Sequence, residues 1–301
     1  MTSRRYELGQ LLAQHIHPKY LSSWFKDLSS STDKQVGILF ALQCSLSKTY
    51  QQSILKQFIQ FVERNNLELN EDIVERFGVL LLDPSNESSC IVVYTSGLVS
   101  VKIGESPNII TKNGSTGHRT WEAALALCDY LISNEPNAKT NYVELGAGTG
   151  LVGLVMGQLR STNNVLLTDG DPDIVVSLQD NIELNGAMNC TCRQLWWSKD
   201  DAPVVNSNVN QIVLAADVTY NEELFPELVQ CMDQFLRLNE TRYAIVSATI
   251  RSENTFHAFI LECSRWGLTV EEMKRYSSPF DTEFFITPET PNIAILLLRL
   301  E

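Results

Sequence analysis

Histidine is scarce: only His15, His17, His118 and His257 occur in 301 residues, and none falls in a metal-like cluster. The seven cysteines form no CxxC pair, and Cys190-x-Cys192 lacks a second pair of ligands, so no metal site is expected. Thiols in odd number and without a pattern suit a reducing compartment rather than a disulfide framework. Positive charge is short as well, with 23 Lys and Arg against 36 Asp and Glu and a formal net charge of −13. That balance argues against a nucleic-acid backbone as main partner, because phosphates need clustered Lys and Arg. A basic protein partner or simple solubility fits better. No run of 18 apolar residues exists, and the N-terminus MTSRRYELGQ has arginines but no apolar h-region. The expectation is a soluble cytoplasmic protein, monomeric, that binds neither membrane nor nucleic acid directly.

What is present is ordinary globular material, 44% hydrophobic and 20% charged, long enough for one or two domains. The first part reads as helical. Ile54, Phe58, Phe61 and Val62 recur at i, i+4, i+7 and i+8, and Asn70 is a candidate N-cap for a second helix that ends before Pro84. Two β-rich runs around Ser96-Gly97 predict a hairpin. From Thr111 strands and helices alternate. Strands are expected at 142–145, 165–168, 191–195, 211–216, 243–248, 268–275 and 293–299, with helices over 151–160, 172–184, 222–236 and 253–266. Such alternation gives a mostly parallel sheet covered on both faces, closed by an antiparallel hairpin where only a loop joins the last two strands. The expected domains are 1–110, helical with the hairpin, and 111–301, the α/β unit.

Chemistry concentrates at the C-terminal ends of those strands. Tyr142–Gly153, YVELGAGTGLVG, ends an apolar run in Glu144 and then places glycines at 146, 148, 150 and 153. Two frames fit: G-x-G-x-x-G for a dinucleotide, and E-x-G-x-G-x-G for S-adenosylmethionine. Glycine lets a ligand approach the main chain, and the next helix offers unpaired N–H groups. A carboxylate at Glu144 suits the ammonium of a methionine moiety and would repel a pyrophosphate. Asp169 ends the next strand, where an acid accepts ribose hydroxyls in either cofactor class. Asp171 and Asp173 fit a helix cap. Trp121 opens a helix with Ala123, Ala124, Leu127 and Leu131 on its core face; it either packs or meets the cofactor. Trp196 and Trp197 face opposite ways if both lie on a strand, so one of them can stack on adenine. The fourth strand runs through Ala215 and Ala216 into Asp217-x-x-Tyr220, either a substrate site at the sheet edge or a helix cap with a packed tyrosine.

Together STGHRTWEAAL, VELGAGTGLVGL, NIELNG, QLWW and AADVTY resemble the seven-strand lysine methyltransferases that carry a D/E-x-x-Y/F motif. Within that group the chain is most similar to the elongation factor 2 lysine methyltransferases of fungi and animals. The likeness covers Gly114 to the C-terminus; the N-terminal segment has the right kind and size, but its motifs are unspecific. It implies a class I methyltransferase Rossmann-like sheet of seven strands with an antiparallel last strand. It also implies that Trp121, Gly146, Ala147, Gly148, Asp169, Trp197 and Ala216 contact S-adenosylmethionine, beside Glu144. Asp217 and Tyr220 would form the catalytic motif next to the target lysine, with the N-terminal region serving to dock the substrate. The acidic turn TDGDPD departs from the pattern and leaves open whether Asp171 also touches the ribose. The expected function is an S-adenosylmethionine-dependent protein-lysine N-methyltransferase acting on elongation factor 2. Alternatives are another protein or a small-molecule substrate, or an NAD-dependent oxidoreductase, which Glu144 disfavours.

Overall fold

The computed structural model describes residues 7–42, 46–82, 90–97, 99–105, 116–136, 138–197, 199–200, 210–238, 241–277, 282–284, 286 and 288–301. The chain divides into two compact units, one of 1–94 with 104–106 and one of 95–103 with 107–301.

The first unit is helical: α1 Leu8–Ala13, α2 Ser22–Leu28, α3 Thr32–Ala41, α4 Lys48–Arg64 and α5 Glu71–Leu81. The apolar stripe on α4 is buried at Ile54, Leu55, Phe58 and Val62, and it meets Phe25 of α2 edge-on through Phe58. Asn70 caps α5 by accepting from the Asp72 amide, as expected of that residue type at that place. Strands β1 Cys90–Thr95 and β2 Ser100–Glu105 make a two-stranded sheet, as the two β-rich runs predict, with residues 95–103 counted in the second unit.

In the second unit α6 Glu122–Ser133 leads into β3 Thr140–Leu145, α7 Leu151–Gln158, β4 Thr162–Asp169, α8 Pro172–Asn185, β5 Cys190–Gln194 and β6 Asn210–Ala216. Then come α9 Phe225–Leu236, β7 Thr241–Thr249, α10 Glu253–Arg265, β8 Leu268–Tyr276 and β9 Ile293–Leu300. The helix expected over 222–236 is instead a 3-10 turn, Glu222–Leu224, followed by α9. Pro226 in the first turn of α9 has no N–H to continue a ladder from upstream, so the α-helix starts there.

The seven strands order as β5-β4-β3-β6-β7-β9-β8. All neighbours are parallel except β9, which runs antiparallel to both β7 and β8. β9 is buried from Ile293 to Leu298 and reads as a continuous apolar run, whereas β3 is buried along its whole length with Thr140, Asn141 and Glu144 among its residues. The strand order reverses between β3 and β6, so a crevice opens where their C-terminal ends part. A buried aspartate on α6, Asp129, ties down the chain after β8: it accepts from the Tyr276 hydroxyl at 2.6 Å and the Glu283 amide at 2.8 Å.

The free edge of β2 is matched by side chains. Gln158 at the end of α7 accepts from the Ser100 amide at 3.0 Å and donates to its carbonyl at 2.8 Å. Asn185 at the end of α8 does the same to Lys102, at 2.8 and 2.6 Å. Among the described helices none is long and apolar enough to cross a membrane, and the described cysteines are free thiols.

Candidate active site

The crevice at the β3/β6 switch is a cavity of about 800 Å³. Its floor is the turn from β3 into α7, where Gly146, Gly148 and Gly150 have φ of 63°, 53° and 82°. Those angles are left-handed, so only glycine holds the turn without strain. A Cβ on Gly146 would lie 2.8 Å from Val218 and 3.3 Å from the Trp197 ring. Gly117, from the loop before α6, leaves room for its own close approach to Gly148. The floor is therefore bare backbone with rings and loops closing on it.

Acidic groups frame the turn. Glu144 is buried at the end of β3 and accepts from the Gly153 amide of α7 at 2.8 Å. Burial pushes its carboxyl up to about 8; the Gly153 bond opposes the rise and the nearby Asp169 charge adds to it. Asp169 at the tip of β4 accepts from the amides of Gly148 and Asp171, both at 3.1 Å. Burial raises its carboxyl too, against those two amides. Asp171 caps α8 by accepting from the Asp173 amide at 2.8 Å. All three acids line the cavity, as does Asp173 in the first turn of α8.

The tryptophans behave differently from expectation. β5 stops at Gln194, so Trp196 and Trp197 lie past the strand and its alternation no longer separates them; both rings line the cavity. Trp197 is half-buried against the apolar core beside Gly146, whereas Trp196 is 45% exposed, lies over Gly170 and carries the Lys199 ammonium 4.6 Å from its centroid. Trp121 sits at the start of α6 and donates its indole N–H to the Thr116 carbonyl at 3.0 Å; it is half-buried and faces the cavity together with Ala124.

At the other end Ala216 closes β6 and the chain turns at Asp217, with φ 55°, whose amide bonds to the Ser247 carbonyl at 2.9 Å. Neither part of the helix-cap alternative is seen. Asn221, not Asp217, caps the following turn, and Tyr220 is 52% exposed at the mouth. Asp217 is instead bound by a residue the sequence reasoning missed. Arg251 donates to both its oxygens, at 3.0 and 2.9 Å, and lies over the Trp121 ring at 5.6 Å. A basic residue just past the strand beside β6 was the available signal. The cavity thus brings together Trp121, Glu144, Gly146, Ala147, Gly148, Asp169, Trp197, Ala216, Asp217 and Tyr220. No cluster of His, Cys, Asp and Glu suited to a metal occurs among the described residues.

A parallel sheet of this order, with a glycine turn at its switch point and an antiparallel strand inserted beside the last, is that of class I methyltransferases. The chain belongs to the lysine methyltransferase family, whose profile matches residues 108–265. It is 37% identical over 190 residues to the protein-lysine N-methyltransferase EFM3 of Saccharomyces cerevisiae, covering 56% of this chain and 55% of that one. To the protein-lysine N-methyltransferase EFM3 of Chaetomium thermophilum it is 28% identical over 67% of each chain. To human protein-lysine N-methyltransferase EEF2KMT it is 28% identical over 84% of this chain and 80% of that one. The match thus spans little more than half the length of the yeast relative. The cofactor that goes with the family is S-adenosylmethionine, and the residues present fit it: a glycine cradle, carboxylates and three indole rings line the cavity.

Proposed function

We propose that the chain is a protein-lysine N-methyltransferase that modifies elongation factor 2 in the cytoplasm. The observation that carries the proposal is the continuity of one cavity from the glycine turn to Asp217 and Tyr220. Its two ends suit a cofactor and an incoming side chain respectively. The elongation factor assignment rests on the motifs STGHRTWEAAL, QLWW and AADVTY and on relatives that are named as protein-lysine methyltransferases.

When bound, S-adenosylmethionine supplies a methyl group on a positively charged sulfur. Gly146, Ala147 and Gly148 would hold its methionine end close to the backbone, with Glu144 offering negative charge to the ammonium. Asp169 has lone pairs beyond those used by Gly148 and Asp171 for ribose hydroxyls. Trp197 offers a ring face for adenine, and Trp121 and Ala216 line the passage toward the lysine. Tyr220 presents an exposed ring and a hydroxyl that can aim the amine lone pair. Asp217 orients the amine beside it. A lysine of pKa about 10.4 is neutral in only about one molecule in a few thousand at pH 7, so positioning and loss of that proton are the two tasks of this end. The helical first unit would dock the protein substrate, a role a small-molecule methyltransferase does not need.

Two measurements test the proposal. Calorimetric titration should show S-adenosylhomocysteine binding at micromolar concentration; binding of NAD in its place would refute it. Mass spectrometry of elongation factor 2 from cells lacking the chain should reveal a lysine that has lost its methylation, and an unchanged factor would remove the substrate assignment.

A further inference from the structure

A carboxylate beside a lysine stabilises the ammonium form. The ammonium has no lone pair to attack with, so an ionised Asp217 facing the target amine would oppose the reaction proposed above. The structure removes that conflict. Both Asp217 oxygens are taken by the guanidinium of Arg251, at 3.0 and 2.9 Å, and the Asp217 side chain is only 8% exposed. Its aim is fixed by the backbone, since the Asp217 amide is bonded to Ser247 in a left-handed conformation. We propose that Arg251 is a positioning residue for methyl transfer. It holds and neutralises Asp217, so that the target lysine is received as the free amine.

The choice of arginine follows from its chemistry. Guanidinium keeps its proton at any working pH and its planar fork matches both carboxylate oxygens, so the neutralisation does not titrate away. Arg251 is seated over the Trp121 ring at 5.6 Å, with Arg119 on the same ring at 4.4 Å. The other charged or titratable groups at that end are few. Glu122 of α6 is 3.7 Å from Arg119. Glu227 comes from α9, and Tyr220 from the loop after β6. Glu222 accepts from the Thr255 hydroxyl at 2.7 Å. Asp217 is the acid that lines the cavity three residues before Tyr220, and it is the one that Arg251 covers.

The inference rests on the methyltransferase proposal, and its test separates the two. The rate of methyl transfer to purified elongation factor 2 is measured against pH for the wild type, Arg251→Ala, Asp217→Asn and the double variant. S-adenosylhomocysteine affinity and a thermal melt accompany each. Asparagine keeps the shape of Asp217 and tolerates its left-handed backbone. Arg251→Ala is expected to keep cofactor affinity within a few fold while the acid limb of kcat/KM moves up by about 1–3 pH units. Activity lost at neutral pH should return in alkaline buffer. Adding Asp217→Asn should bring the limb back toward the wild-type position, because the uncovered charge is then gone. Should Arg251→Ala melt too early to assay, Arg251→Gln is read in its place. An unmoved limb in a folded Arg251 variant overturns the inference. So does a variant that is faster at every pH with a lower KM, which would make Arg251 a plug that the lysine displaces. A wild-type enzyme that binds the cofactor yet never methylates the factor would overturn the substrate assignment and this inference with it.

Discussion

Replacing Glu144 by glutamine should change how the protein responds to pH. Glu144 is buried, and burial holds its carboxyl near 8 in the folded protein against 4.5 when free. The folded state therefore binds a proton more tightly than the unfolded state between those values. Stability from this group is fully present below about pH 4.5 and is lost as pH rises toward 8. At ~1.4 kcal/mol per pH unit the gap corresponds to roughly 4–5 kcal/mol at most, enough to move a melting point on the order of 10 °C. Thermal melts of the cofactor-free protein from pH 5 to 9 provide the assay. The wild type should fall more steeply with pH than Glu144→Gln, which retains an acceptor for the Gly153 amide but cannot titrate. The same proton bears on binding. A ligand ammonium prefers the carboxylate, so S-adenosylhomocysteine should bind the wild type more tightly as pH rises toward 8, with proton release measurable in buffers of different ionisation enthalpy. Parallel melting slopes in the two proteins would refute the reasoning.

Asp169→Asn should weaken S-adenosylhomocysteine at least tenfold while the melt changes little; each hydrogen bond to a charged acceptor is worth roughly 1.5–3 kcal/mol. Unchanged affinity would transfer the ribose contact to Asp171. Gly146→Ala should destabilise the protein by about 1–3 kcal/mol and abolish cofactor binding, because a left-handed φ and a 2.8 Å approach to Val218 leave no room for the methyl; chemical denaturation and calorimetry measure the two effects. Tyr220→Phe should slow methylation less than Tyr220→Ala, since the ring survives, and single-turnover rates would show equal losses if only the hydroxyl matters.

Much of the sheet was legible because its buried strands carry short apolar runs, as β6 does over 212–216 and β9 over 293–298, and the glycines of 146–150 mark a turn that needs left-handed backbone. The small helices α1 to α3 were legible only as helical texture, being too short to establish a periodic stripe. The candidate site was readable where the backbone alone sets a residue's place, as for Gly146, Asp169 and Ala216, which line one cavity. It was not readable where a partner arrives from far along the chain. Arg251 lies 34 positions beyond Asp217, and its place just past the strand beside β6 was the one signal of the pairing. The tryptophan pair misled for a related reason: alternation holds on a strand, and the strand ends two residues too soon.

The carboxamides of Gln158 and Asn185 have a consequence for solubility. An outer strand with open N–H and C=O groups is a template on which another chain can add itself, and two-stranded ribbons are especially exposed to that hazard. Ser100 and Lys102, two residues apart, point their backbone groups to the same side of β2, and both are answered by a side-chain amide that copies the geometry of a neighbouring strand. A side chain cannot propagate the ladder further. On the β2 side the edge is thereby occupied at Ser100 and Lys102 by two helix tips of its own chain, and those residues offer no open pair to a second molecule.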